Sequence, residues 1–231
     1  MLQYSGKRRQ TTSFTIGGVG IGSDYPVSIQ SMTNTDTRDA QATLTQIGQL
    51  AEAGCQMVRV AVPDEEAASA LKIICAESPV PVIADIHFNH RLALMAMDNG
   101  ISSLRINPGN IGSEEKVREV VSQAKAMQIP IRIGVNAGSL EKDLLAKYQH
   151  PTAEALVESA MRHVRILEDL NFDQIKISLK ASDVPLMIAA YRLMAEQVPY
   201  PLHLGVTEAG NAKHGIGEII NATLWVSCSS N

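Results

Sequence analysis

The strongest constraint on the fold is a regular alternation along the chain between short apolar runs and amphipathic helical patterns. The runs have the length and β-branched content of strands. Apolar strands that alternate with helices are typical of a parallel sheet covered on both faces. The seven predicted strands are Val27–Met32, Met57–Val62, Val80–Ile86, Ser102–Ile106, Ile129–Val135, Gln174–Leu179 and Pro201–Val206.

Seven such strands predict an α/β fold of the (β/α)8 TIM-type barrel, incomplete at its last βα unit. A doubly wound open sheet is the alternative, but no G-x-G-x-x-G pattern follows the first strand, which disfavours a dinucleotide-binding fold. The glycine-rich segment Gly17–Gly22 precedes that strand and predicts a hairpin or turn. One helix is predicted over Arg38–Ala53, and others begin after the capping residues Asp64, Ser113 and Asp183.

Composition narrows the class of protein. A chain of 231 residues can form one large α/β domain, and a net charge of −4 with few aromatic residues disfavours a nucleic-acid-binding surface. The cysteines Cys55, Cys75 and Cys228 are scattered, which suits a reducing compartment and buried small side chains. No stretch approaches the length of a membrane span, so we expect a soluble cytoplasmic protein.

Cationic side chains interrupt four of the predicted strands. They are Arg59, Arg105, Arg132 and Lys180. A guanidinium inside an apolar strand is costly to bury without a partner, and these strands contain too few acids to neutralise all four cations. A structural ion pair is the alternative for any single one. Together, at the C-terminal mouth of a barrel, they predict a socket for a small diphosphorylated substrate.

Other polar residues end the same strands. Asp85 and His87 are two residues apart on one strand, so they face the same side, where they can orient substrate hydroxyls or transfer a proton. Glu208 ends the seventh strand and brings an acid to the socket. Asn107 and Asn136 supply neutral donors and acceptors beside glycines, although they also read as turn residues.

Six motifs, in this order and spacing, resemble those of the 4-hydroxy-3-methylbut-2-enyl diphosphate synthase family of the methylerythritol phosphate route to isoprenoids. The motifs are IQSMTNTDT, ADIHFN, LRINPGN, IRIGVNAGS, KISLKASD and LHLGVTEAG, between Arg9 and Gly210. The resemblance implies reductive opening of 2-C-methyl-D-erythritol 2,4-cyclodiphosphate to a linear allylic diphosphate. The two electrons would come from ferredoxin or flavodoxin.

The resemblance also implies roles for the polar residues. The diphosphate would be held by Arg59, Arg105, Arg132 and Lys180, and the rest of the substrate would be surrounded by Asp85, His87, Glu208, Asn107 and Asn136. Members of this family carry a [4Fe-4S] cluster on three cysteines and a glutamate of a second, C-terminal domain. That domain closes over a barrel mouth in a homodimer.

The sequence departs from the family pattern after Gly210. We therefore expect a barrel over residues 1–210 and a divergent tail over residues 211–231, either an improvised strand or disordered. No C-x-x-C motif occurs, so we expect no metal site and no cluster domain in this chain, and no activity from the chain alone. A dihydropteroate-synthase-like pterin barrel and a non-catalytic module that binds an anionic metabolite stay open as alternatives.

Overall fold

The computed structural model describes residues 8–107 and 111–205. A small antiparallel hairpin consists of β1 (Phe14–Ile16) and β2 (Val19–Ile21). A larger sheet holds six parallel strands in the order of the sequence. These strands are β3 (Gln30–Met32), β4 (Met57–Ala61), β5 (Val82–Ile86), β6 (Ser103–Ile106), β7 (Ile131–Asn136) and β8 (Ile175–Lys180).

Helices connect the strands of the larger sheet. They are α1 (Ala40–Glu52), α2 (Glu65–Glu77), α3 (His90–Asp98), α4 (Glu114–Ala126), α5 (Lys142–Tyr148), α6 (Ala153–Asp169) and α7 (Val184–Gln197). Parallel strands in sequence order with helical crossovers are the TIM-type architecture, which confirms the predicted fold class. In the described part of the chain, no helix combines the length and apolarity needed to cross a bilayer.

The first predicted strand is shorter in the structure than in the prediction, and of the last predicted strand the structure describes only residues 201–205. β3 begins at Gln30, three residues after the predicted start, and Val27 before it is 70% exposed. In the last segment, Leu202 makes a single parallel bridge to Ile177 on β8. The remaining prediction for this region, a tail over residues 211–231, lies outside the described residues.

Capping side chains fix two of the predicted helix starts. Asp64 accepts a hydrogen bond from the amide of Ala67 at 2.9 Å, and Asp183 accepts one from the amide of Leu186 at 2.8 Å. Both carboxylates satisfy amides that have no partner within the helix. Ser113 precedes α4 as predicted but makes no capping bond through its hydroxyl. The acidic first turn of α4 supports that helix instead.

Strand alternation divides the apolar residues into two cores. One face of each strand packs against the helices, as Val58 and Val60 of β4 do. The opposite face contributes Met57 and Ile83 to a smaller cluster with the β1–β2 hairpin. Both residues lie in the N-terminal halves of their strands, so the hairpin covers that end of the barrel. The interior beyond it is polar.

The turn of the hairpin explains the glycine-rich segment. Gly17 has a φ of +53°, a left-handed conformation that glycine adopts without steric cost. A Cβ at this position would lie 2.5 Å from the side chain of Pro81, so the turn can approach the barrel only without a side chain. The segment is therefore a hairpin, as predicted.

Candidate anion-binding site in the barrel

A row of polar residues crosses four neighbouring strands at the same level. The strand register pairs Asp85 with Arg105, Arg105 with Arg132, and Arg132 with Lys176. Residues paired across parallel strands lie on one face of the sheet. Since the apolar residues between them pack under the helices, this row faces the barrel interior.

Asp85 lies at the centre of the interior charges and is 3% exposed. Its carboxylate lies 2.9 Å from Nη1 of Arg105, 3.5 Å from Nε of Arg59 and 3.4 Å from Nε2 of His87. Burial alone would raise the pKa of Asp85, but the contact with His87 and the charges of Arg105 and Arg59 hold it well below its ordinary value. Asp85 is therefore ionised and orients the two arginines.

Gly134 makes room for Arg105. Nη2 of Arg105 donates to the carbonyl oxygen of Gly134 at 3.3 Å. A Cβ at Gly134 would lie 2.5 Å from Nε of Arg105. The guanidinium thus occupies the volume that a side chain on β7 would fill.

Arg132 is the most deeply buried charge, at 1% exposure. Its Nε, Nη1 and Nη2 atoms are buried, and none has a hydrogen-bond partner among the residues that the structure describes. Burial, together with the neighbouring Arg59 and Arg105, lowers the pKa of Arg132 to about 9, which leaves the side chain charged at neutral pH. A buried guanidinium with unpaired donors is costly unless an anion compensates it.

Two lysines of β8 face the same interior. Burial and the charge of Arg132 lower the pKa of Lys176 to about 7, and burial with the charges of Arg59 and Arg132 lowers the pKa of Lys180 to about 8. Cations that lower one another's pKa values lie close together without enough negative charge between them. In the described part of the chain, Asp85 is the only buried carboxylate.

His203 faces the cations from the neighbouring segment. Burial and the charges of Arg132 and Lys176 hold its pKa well below the ordinary value, so the ring is neutral. Tyr191 of α7 fixes this segment against β8, because its hydroxyl accepts from the amide of Leu179 and donates to the carbonyl of His203. The structure thus places a neutral histidine beside the cationic interior.

The other predicted residues surround this cluster or lie outside the described part. Asn107 is buried directly after β6, and the side chain of His87 is largely exposed. Asn136 ends β7, where its Oδ1 accepts from the amide of Gly138. It therefore positions the turn after β7, and the strand register pairs it with Lys180. Glu208 lies outside the described residues.

Sequence reasoning missed Lys176 and Met32 as parts of the site. Lys176 is four residues before Lys180, and this even spacing on one strand is the signal that could have placed it on the same face. Met32 lies against Arg59, whose Nε and Nη2 approach the thioether sulfur at 3.1 and 2.9 Å. Its apolar character gave no signal of a polar contact.

The described cysteines do not fit an iron–sulfur cluster. Cys55 is buried, with its sulfur 3.0 Å from the carbonyl oxygen of Met57, and burial raises the pKa of Cys75 to about 12. Cluster ligation needs several thiolates close together. No group of three or more histidine, cysteine or acidic side chains that could hold a metal occurs within residues 8–107 and 111–205. Cys228 lies outside these ranges.

Sequence comparison finds a family and its close relatives. The GcpE TIM-barrel domain family matches residues 11–223. The 4-hydroxy-3-methylbut-2-en-1-yl diphosphate synthase (flavodoxin) of Geobacter sulfurreducens is 62% identical over 208 residues, covering 90% of this chain and 59% of that protein. The protein of the same name from Magnetococcus marinus is 57% identical over 235 residues, covering 97% of this chain and 63% of that protein. The chain thus spans about three-fifths of the length of these relatives.

Solved structures with a similar fold have distant sequences. A truncated 3-deoxy-D-arabino-heptulosonate 7-phosphate synthase from Thermotoga maritima has a TM-score of 0.65 at 14% identity, covering 95% of this chain and 78% of that chain. A dihydropteroate synthase from Xanthomonas albilineans has a TM-score of 0.61 at 12% identity, covering 94% of this chain and 88% of that chain. At this level of identity the likeness shows the fold alone.

Proposed function

The chain belongs to the GcpE TIM-barrel domain family, and from this we propose that it is the substrate-binding barrel of a 4-hydroxy-3-methylbut-2-en-1-yl diphosphate synthase. The substrate is 2-C-methyl-D-erythritol 2,4-cyclodiphosphate, and the reaction is its reductive opening to the linear allylic diphosphate. The observation that carries the proposal is the buried guanidinium of Arg132, whose donors have no partner among the described residues. A diphosphate supplies the acceptor oxygens and the negative charge that are missing around this guanidinium.

The diphosphate contacts four cations in this proposal. Arg59, Arg105, Arg132 and Lys180 converge on the interior face, and Asp85 neutralises only part of their charge. Guanidinium groups bind phosphate oxygens through paired N–H donors, so the arginines fix the orientation of the diphosphate as well as its position. Lys180 adds a point charge near the mouth.

The carbon part of the substrate contacts Asp85, His87 and Glu208, with Asn107 and Asn136 beside it. Asp85 is held ionised, so it accepts a hydrogen bond from a substrate hydroxyl and does not act as an acid. The exposed His87 lies 3.4 Å from Asp85 and is placed to exchange a proton with a hydroxyl at the mouth. Glu208 completes this group by its place in the GVTEAG motif.

The electrons reach the reaction through groups that the described residues do not hold. The relatives' names state dependence on flavodoxin, and we extend that donor to the reaction in which this barrel takes part. The family's [4Fe-4S] cluster does not fit Cys55 and Cys75, so no step in this barrel is assigned to it. The barrel binds and orients the cyclodiphosphate.

The pterin alternative rests on fold alone. The dihydropteroate synthase is 12% identical to this chain, whereas the diphosphate synthase relatives are 56–62% identical. Calorimetric titration with the cyclodiphosphate and with a dihydropterin diphosphate tests the two assignments. We expect binding of the cyclodiphosphate and a loss of about tenfold or more in Arg132→Met. Preference for the pterin, or equal affinity in parent and variant, would overturn the proposal.

A matched variant separates loss of the socket from loss of one positive charge. Arg118 lies on α4, exposed and paired with Glu114 at 2.6 Å on the same helix. Arg118→Met changes the net charge as Arg132→Met does but leaves the interior intact. We expect Arg118→Met to bind the cyclodiphosphate like the parent.

A further inference from the structure

Met32 and Arg59 face each other across neighbouring strands. The β3–β4 register pairs the two residues directly. Nε of Arg59 lies 3.1 Å from the sulfur of Met32, and Nη2 lies 2.9 Å from it. These two nitrogens form one edge of the guanidinium, so that whole edge is directed at the thioether.

The same edge is the one that a phosphate group would take. A guanidinium binds phosphate best through two parallel N–H donors, and Nε with Nη2 is such a pair. A thioether sulfur is only a weak acceptor. Asp85, 3.5 Å from Nε, orients the guanidinium, whereas Met32 occupies its edge only weakly and yields it readily to a phosphate oxygen.

We propose that Met32 is a site of reversible oxidation at which a sulfoxide oxygen competes with the substrate's phosphate for Arg59. This inference rests on the proposed function. The oxidant is hydrogen peroxide. Its O–O bond breaks, one oxygen atom joins the sulfur, which loses two electrons, and the other oxygen atom leaves as water. The sulfoxide oxygen is a strong acceptor, and it forms within reach of the donors of Arg59.

The exposure of Met32 allows this reaction. Met32 is 37% exposed, so a small oxidant can reach its sulfur. Met127 is exposed to a similar extent, at 44%, but it follows α4 on the outside of the barrel, near Gln123. Four other methionines are fully buried and protected by packing: Met57, Met97, Met187 and Met194. Met127 is therefore a natural control for oxidation that does not touch the socket.

The test measures oxidation and binding on the same samples. The chain is treated with graded hydrogen peroxide and digested with trypsin; the peptide from Gln10 to Arg38 contains Met32 as its single methionine, so gain of one oxygen reports this site directly. Inorganic diphosphate and the cyclodiphosphate are then titrated calorimetrically. We expect affinity about tenfold weaker once Met32 is oxidised, because Arg59 must break a hydrogen bond to a strong acceptor.

Reduction of the sulfoxide back to methionine tests the inference without any substitution. Methionine sulfoxide forms as two epimers, each reduced by its own reductase. Treatment with both reductases should restore the methionine mass and the affinity together. Affinity that stays low after the mass has returned would assign the loss to other damage and overturn the inference.

Two variants, each compared with its own untreated sample, locate the effect. Met32→Leu retains every cysteine and every other methionine, and peroxide should leave its affinity where it was. Met127→Leu should lose affinity on oxidation as the parent does.

Equal losses in parent and Met32→Leu, or full oxidation of Met32 with unchanged affinity, would overturn the inference alone. Failure of the untreated parent to bind the cyclodiphosphate would overturn the proposed function and this inference with it.

Discussion

The guanidinium of Arg105 lies against the backbone of Gly134, in the volume that a side chain at that position would occupy. Nη2 of Arg105 donates to the carbonyl oxygen of Gly134, and Nη1 of the same group lies 2.9 Å from Asp85. Glycine inside a strand usually weakens it, because there is no side chain to pack. At this position the guanidinium replaces the missing side chain, so the strand depends on the charge cluster.

Gly134→Ala is expected to displace Arg105. The added Cβ would lie 2.5 Å from Nε, and the backbone and Asp85 leave the guanidinium little room to shift. We expect the free energy of unfolding to fall by about 1–3 kcal/mol, as in other overpacked cores, with severalfold weaker binding of diphosphate. Urea unfolding and calorimetry measure the two effects.

Gly48→Ala is the matched control. Gly48 lies within α1, where an added Cβ meets nothing within 4 Å. Alanine there should stabilise the chain by about 0.5–1 kcal/mol, because glycine is a poor helix former. If Gly134→Ala also proved neutral or stabilising, Arg105 would be free to move and the contact would have no role in the site.

Arg132→Met is expected to change stability and binding in opposite directions. Methionine removes a buried charge that has no partner among the described residues, so the unliganded chain should gain about 1–3 kcal/mol in free energy of unfolding. The same change removes donors to the diphosphate, so binding should weaken by about 1.5–3 kcal/mol. Urea unfolding with and without diphosphate gives both values. A variant that loses stability without ligand would show that Arg132 is compensated in the free protein.

The sequence predicted the site where strand alternation was enough to locate a side chain. Strand alternation assigns four polar side chains to the barrel interior, because the residues next to each of them in its strand are apolar and point toward the helices. The four are Asp85, Arg105, Arg132 and Lys180. The same alternation shows which face of each strand meets the helices. The fold class followed from the repeated pattern, since a parallel sheet requires helical crossovers.

Contacts that depend on register could not be predicted in this way. The pairing of Met32 with Arg59 depends on how β3 aligns with β4, and the sequence does not fix that alignment. The sequence likewise gives no sign of the role of Gly134, because that role comes from a guanidinium 29 residues away in the chain. Ser113 is a good capping residue by type, but its hydroxyl makes no capping bond.

Diphosphate binding is expected to take up protons at pH 8. The pKa of Lys176 is lowered to about 7 and that of Lys180 to about 8, so both are partly neutral at this pH in the free chain. An anion bound near both lysines favours their charged forms and raises both pKa values. Calorimetry in two buffers with different ionisation enthalpies should give a positive proton uptake.

Lys176→Met should reduce this uptake, and Lys72→Met should not. Lys72 lies exposed on α2, outside the barrel, so its substitution changes the charge of the chain without touching the interior. Identical heats in both buffers for the parent would show that diphosphate binding does not change the protonation of the two lysines, which would contradict the prediction.

Glu141 is expected to stabilise the chain above about pH 4.5 and to lose this effect in acid. Its Oε1 accepts from the hydroxyl of Ser159 at 3.1 Å and lies 3.1 Å from Nε2 of His163, which ties the start of α5 to α6. Burial raises the pKa of Glu141, but the contact with His163 and the other hydrogen bonds lower it to about 2, below its unfolded value. A lowered carboxyl pKa gives stability that is complete above the unfolded pKa and disappears as the pH falls toward 2.

Glu141→Gln should therefore lower the free energy of unfolding by about 1–3 kcal/mol at pH 7 and by less at pH 3. Urea unfolding at both pH values tests this, with the exposed Glu77→Gln as a control expected to change stability by no more than about 0.5 kcal/mol. A Glu141→Gln deficit of the same size at pH 3 and pH 7 would mean that the charge of Glu141 has no part in holding the two helices together.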